Sequence, residues 1–411
     1  MPTMELPFKS GKTRHYWDTA AATPLAPIVE RAMVKTAKDF GNPASIHREG
    51  VLAQEKLAAA RQTVARLIAA EPDEIVFTGG GTEGDNLAIL GVARARSQVG
   101  HLITTTVEHK AVLEPCRYLA DLGHQISYLP VSADGLVNLK EVEKTLTTET
   151  FLVSIIYANN EIGTIQPIKE IAKVVRRWRK EHKTNLPYLH IDACQAPRFL
   201  NLNVLQLGVD LMTVNGSKIY GPKGVGFLYV KRGVRLLPFL LGGGQEEGRR
   251  SGTHNLPAIV GLAKALEICE AEKEAETEKL TAIRDYLATQ LTKIAGLKLN
   301  GGFGENERLP NNLNFSVEGL EGEQLVLELD ARGFAVSSGS ACSFGADDGS
   351  HVVAALGYGE ARALGAVRVS LPRETKLAEA KKFVEKVKAI LKKYKGRIYL
   401  AELLLPFFFM L

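Results

Sequence analysis

Lys218 stands in SKIYGPKG, residues 217–224, after a β-rich run and before a Gly/Pro-rich turn. A lysine fixed at a strand end is well placed to form a Schiff base with an aldehyde. A solvated loop lysine is the plainer reading. HIDACQ, 190–195, ends a predicted buried strand with Asp192 and Gln195. A carboxylate there is costly to bury without a partner, and a protonated pyridine nitrogen would be one; a satisfied structural aspartate is the alternative. FTGGGTEGDNLAI, 77–89, runs from strand through glycines 79–81 and Thr82 into a helical pattern. Backbone amides at such a turn suit a phosphate. The segment has neither GxxxxGK(S/T) nor GxGxxG, and a merely tight turn is also compatible with it.

Cys342, in VSSGSACS at 336–343, has small polar neighbours. That setting suits an accessible, mobile thiol, whereas most isolated cysteines behave as buried small hydrophobes. Cys116 and Cys269 sit in helical patterns and fit the buried description, and Cys194 reads as a small residue behind the site. His109 follows the run HLITTT, and Arg368 lies inside AVRVSL. A neutral imidazole can stack on a ring or move protons. A guanidinium within a strand is expensive unless it meets an anion. Either residue can equally be structural.

The elements that must position these groups are legible as periodicity. From about 53 to 230, short apolar runs alternate with helical patterns. IVFT, HLITTT, ISYLP, LVSIIY, YLHID, LMTVN and GFLYV read as strands, several of them covered on both faces. Such alternation implies an α/β domain with a mostly parallel sheet, with ligands at the carboxyl ends of its strands. After the Gly-rich stretch 242–255 comes a long helical segment, about 256–296. Then follow the strand candidates NLNFSVE, AVSSGS and AVRVSL, with helical stretches near 322–332 and 376–395.

The 411 residues include 51 Lys+Arg against 46 Asp+Glu, a net +5 too balanced for the concentrated basic face that nucleic acid requires. Four cysteines without CxxC spacing imply reduced thiols and a reducing compartment. No signal-peptide core and no run of ~20 apolar residues is present, so the expectation is a cytoplasmic protein without a membrane span. The apolar end LAELLLPFFFML, 400–411, is too short to span. It reads as a tail packed on the protein or a dimer partner, with membrane or partner binding as alternatives.

Taken in order, VEHKAVLEPC, YANNEIGTIQPI, HIDACQ, SKIYGPKGVGFLYV, GGGQEEGRRSGT and SSGSAC resemble the cysteine desulfurases, pyridoxal-phosphate (PLP) enzymes of the class V aminotransferase group. The resemblance runs from about Tyr16 to Arg373, and SSGSAC is similar to the branch serving iron–sulfur cluster assembly. It implies fold type I of the PLP-dependent transferases: a large α/β domain at 16–264 and a smaller α+β domain at 265–395. Residues 1–15 are expected to pack with the smaller domain, leaving 396–411 as the tail.

Position by position, the resemblance gives Lys218 the Schiff base, Asp192 the pyridine nitrogen, and Gln195 the phenolic oxygen. It gives His109 ring stacking and proton transfer, and gives Gly81 and Thr82 the phosphate. Asn160 and Arg368 would hold the substrate carboxylate, and Cys342 would take sulfur from L-cysteine as a persulfide, leaving alanine. Thr253 would reach the phosphate of a neighbouring subunit, implying a homodimer. The sulfur acceptor would be an iron–sulfur scaffold or another protein, with a tRNA-thiolation partner also admitted. Two departures stand out. Asn215 and Ser217 occupy positions where the family has Ser or Thr and then His; both can still hydrogen-bond a phosphate. Trp17 and Thr19 replace a leucine and an asparagine.

Other readings remain open at this point. Selenocysteine lysis and transamination would use the same fold, although a transaminase has no need of Cys342. The basic run KVVRRWRKEHK, 173–183, would support an RNA-binding or scaffold protein, unless it is the solvated face of a helix.

Overall fold

The computed structural model describes residues 14–304, 307–339 and 349–394. Among these residues twelve strands form three sheets. The smallest sheet pairs β1 (His15–Tyr16) in parallel with β11 (Phe334–Ala335). The main sheet holds seven: β2 (Ile75–Thr78), β3 (His101–Thr105), β4 (Gln125–Leu129), β5 (Thr150–Ile156), β6 (Tyr188–Asp192), β7 (Leu211–Asn215) and β8 (Gly226–Val230). Their order is β2-β8-β7-β6-β5-β3-β4. β8 alone runs against the other six strands of this sheet. The third sheet is antiparallel, with β10 (Asn312–Val317) between β9 (Leu297–Leu299) and β12 (Ala366–Ser370).

The continuous apolar runs of the main sheet have a physical cause. Ile75, Phe77, Ile103 and Val153 enter one buried cluster, while Val76, Leu102 and Leu152 enter another. Successive side chains of a strand point to opposite faces, so a sheet covered on both sides requires apolar residues at every position. A third cluster gathers Trp17, Phe315, Phe334, Val367, Val369 and Phe383 around the small antiparallel sheet. The helix Leu377–Lys393 buries Phe383, Val384, Val387, Ile390 and Leu391 there and leaves its lysine face outward.

One continuous helix, Leu256–Leu291, serves both bodies. Its first half, through Cys269, packs on the main-sheet cluster, and its second half, from Leu280, packs on the small-sheet cluster. The expected strand AVSSGS is shorter than its pattern: β11 ends at Ala335, and only a bridge from Ser337 to Arg368 continues it. The basic run 173–183 lies largely on the helix Ile168–Glu181. There Arg177 pairs with Glu143, Arg179 pairs with buried Asp210, and Trp178 stacks on His182. Among the described residues no helix is long and apolar enough to cross a membrane. Residues 400–411 lie outside the described part.

Candidate active site

A cavity of about 170 Å³ opens at the carboxyl ends of the central strands, where an open parallel sheet places its ligands. Ile156, Asp192 and Asn215 reach it from the last positions of β5, β6 and β7. Two helix N-termini flank it: Gly81 and Thr82 open the helix Gly81–Arg94, and His109 caps the helix Lys110–Asp121. Lys218, Gln195, Asn160 and Arg368 complete the group. Nine residues singled out from sequence thus converge on one hollow, although they come from segments nearly 300 positions apart.

Each has a local reason for its place. Asn215 accepts a hydrogen bond from the Ser217 amide at 3.1 Å and caps the single turn Gly216–Lys218, which turns the lysine inward. The Lys218 amine donates to the Ala21 carbonyl. Asp192 is nearly buried, and its Oδ1 accepts from the Cys194 amide at 2.9 Å. Gln195 donates from Nε2 to the Ala20 carbonyl at 3.0 Å. The Arg368 guanidinium donates to Asp18 Oδ1 at 2.7 Å and to the Asn160 carbonyl at 3.2 Å, and its Nε has no partner.

His109 Nδ1 accepts from the Ala111 amide at 3.1 Å. Burial pulls its pKa below the usual histidine value, with Lys218 acting in the same direction and Asp192 opposing. A neutral ring with Nδ1 engaged carries its proton on Nε2.

The glycine turn is shaped for close approach. Gly80 has φ +144°, and a Cβ on Gly81 would meet Cys194 Sγ at 2.7 Å. A second hollow of about 690 Å³ adjoins it, lined by Gly79, Gly80, Gly81, Thr82, Asn215 and Ser217. An amine, a buried carboxylate and a glycine turn at a helix N-terminus match the aldehyde, ring nitrogen and phosphate of pyridoxal phosphate, so the residues present fit that group.

Two sequence candidates lie elsewhere. Thr253 is exposed and does not line the cavity of its own chain. Cys342 lies outside the described residues. Sequence reasoning also placed Cys194 behind the site, whereas it lines the cavity. It missed Asp85 altogether. The signal was present: Gly81, Gly84, Asp85, Ala88 and Val92 form a buried helical stripe that carries one carboxylate.

The chain belongs to the aminotransferase class-V family, whose model matches residues 15–383. Within that class it is similar to a protein named cysteine desulfurase IscS from Dictyoglomus turgidum, at 45% identity over 88% of this chain and 90% of the relative. Among solved structures it is similar to one titled NifS-like protein, with a TM-score of 0.85 and 36% identity over 92% of this chain and 100% of the other. Another, titled SspA in complex with cysteine, superposes with a TM-score of 0.75 at 35% identity, covering 88% and 100% of the two chains.

Proposed function

We propose that the chain is a PLP-dependent cysteine desulfurase that converts L-cysteine to L-alanine and collects the sulfur as a persulfide on Cys342. The observation that carries this reading is the cavity uniting Lys218, Asp192, His109 and Arg368, in a chain 45% identical to a protein named cysteine desulfurase.

Lys218 would hold the cofactor through its amine, Asp192 would face the ring nitrogen, and Gln195 the phenolic oxygen. Gly81, Thr82, Asn215 and Ser217 would hold its phosphate. When bound, the cofactor supplies an electron sink for charge developing at the substrate Cα. Arg368, with Asn160 beside it, binds the cysteine carboxylate as a charge-assisted pair. Lys218 removes the Cα proton once its amine is released. The Lys218 ammonium so formed returns that proton on the carbon side, and neutral His109 assists the transfer as an Nε2–H hydrogen-bond donor. The Cys342 thiolate then attacks the substrate sulfur. The C–S bond breaks, its electron pair stays with carbon and is protonated toward alanine, and a new S–S bond forms on Cys342.

The persulfide passes to an acceptor protein for iron–sulfur cluster assembly or to a tRNA-thiolation partner. We extend the reading to a cytoplasmic homodimer in which Thr253 contributes to the neighbouring subunit's phosphate site; its exposure at the surface supports this. The two bodies joined by Leu256–Leu291 support a division into 16–264 and 265–395. The test is incubation of PLP-loaded protein with L-cysteine and a reductant. Equal alanine and sulfide support the reading, whereas keto acid without sulfide points to transamination.

A further inference from the structure

Asp85 lines the cavity, yet the proposed chemistry gives it no task. It is 1% exposed, and its Oδ1 is buried without a hydrogen-bond partner. The groups facing it come from three elements. β6 supplies Asp192 and His190, with the Cys194 thiol just beyond its end, β7 supplies Thr213, and the segment before the helix Lys110–Asp121 supplies Glu108. Asp192 and Thr213 are direct neighbours across the β6–β7 pair.

His190 Nε2 stands 3.6 Å from Oδ1 but cannot neutralise it. Both ring nitrogens are engaged, with the Ser154 hydroxyl at 2.8 Å and the Thr213 hydroxyl at 3.0 Å, and burial pulls its pKa down to about 3. The Thr213 hydroxyl also reaches the Asp85 carboxyl. Burial, and then the charge of Asp192, push the Asp85 carboxyl well above the usual carboxylate range. Two buried carboxylates that feel each other's charge cannot both ionise cheaply.

We propose that Asp85 is a positioning residue acting through Asp192: it stays a neutral acid, so that Asp192 is the single carboxylate available to a cationic ring nitrogen. The proposal rests on the PLP reading, but most of its test does not.

The variant is Asp85→Asn, which keeps the shape and cannot ionise. Melting of the apoprotein is followed against pH, in the wild-type and Asp192→Asn backgrounds. A neutral Asp85 in the fold makes wild-type stability fall relative to Asp85→Asn as pH rises above about 4, by up to tenfold in the folding equilibrium per unit. With Asp192 uncharged, that gain levels off at a lower pH. In PLP-loaded protein, Asp85→Asn leaves the pH midpoint of the cofactor's long-wavelength absorbance unmoved.

Three results overturn the proposal: an Asp85→Asn protein that is unfolded or less stable by a pH-independent amount, a plateau indifferent to Asp192, or a displaced absorbance midpoint. Failure of the PLP reading looks different. Wild-type protein would then show no cofactor band at all, while the apoprotein melts would still decide the state of Asp85.

Discussion

Arg368 Nη2 and Asp18 Oδ1 meet at 2.7 Å on the wall of the cavity, joining the chain beyond β1 to β12. The guanidinium is almost fully buried and its Nε has no partner. It is therefore a buried cation held by one carboxylate and one carbonyl, with donor capacity left for an anionic substrate. Replacing Arg368 with Ala is expected to raise KM for L-cysteine about 100-fold, since a desolvated charged contact is worth roughly 2–5 kcal/mol. The cofactor spectrum should be unchanged. A KM within twofold of wild type would remove Arg368 from substrate binding.

Lys218→Ala should still fold, because its amine makes a part-buried contact to the Ala21 carbonyl and packs into no core cluster. It should lose borohydride-fixable cofactor and all alanine formation. Fixation of label at full stoichiometry in this variant would place the Schiff base on another lysine.

Glu108 provides a stability readout with a defined sign. Its side chain is buried, accepts from the Thr105 hydroxyl and the Ile156 amide, and leaves Oε2 without a partner. Burial pushes its pKa up from 4.5 to about 8. Between those values the folded state keeps a proton that the unfolded chain has lost, so stability falls as pH rises. The slope is at most roughly 1.4 kcal/mol per pH unit. Glu108→Gln should remove it, with its advantage over wild type growing from pH 5 to 8 and flat beyond. Parallel melting curves across that window would mean Glu108 is ionised in the fold.

Arg198 and Glu276 form a second buried pair, Nε to Oε1 at 3.0 Å, with Arg198 also lying over the Phe199 and Tyr220 rings. Glu276 belongs to the stretch of Leu256–Leu291 where the helix passes from one core cluster to the other. Glu276→Ala strands a buried cation and should destabilise by about 3–5 kcal/mol in denaturant unfolding. A loss under 1 kcal/mol would show the pair to be solvated.

Much of the site was legible because its chemistry sits at element ends. Asp192, Asn215 and Lys218 close or follow apolar runs; each alone also allowed a structural reading, and the order of the motifs in the resemblance gave them their roles. The sheet was legible because strands buried on both faces leave no polar alternation to confuse the pattern. What escaped were relations set by the third dimension. The antiparallel direction of β8 follows from a short connection through the Lys218 turn that composition does not encode. The shared cavity of Asp85 and Cys194 depends on the Gly81 Cα approaching a neighbouring strand end. The pairing of Arg368 with Asp18 also escaped, because no spacing in the sequence links the two.

The central claim is that sulfur leaves L-cysteine through Cys342. The direct measurement is mass spectrometry of the Cys342 peptide after one turnover of PLP-loaded protein with L-cysteine, alongside alanine and sulfide release by wild type and Cys342→Ala. One added sulfur on that peptide, with almost no alanine or sulfide from the variant, is the expected result. An unmodified Cys342, or a variant as active as wild type, would contradict it.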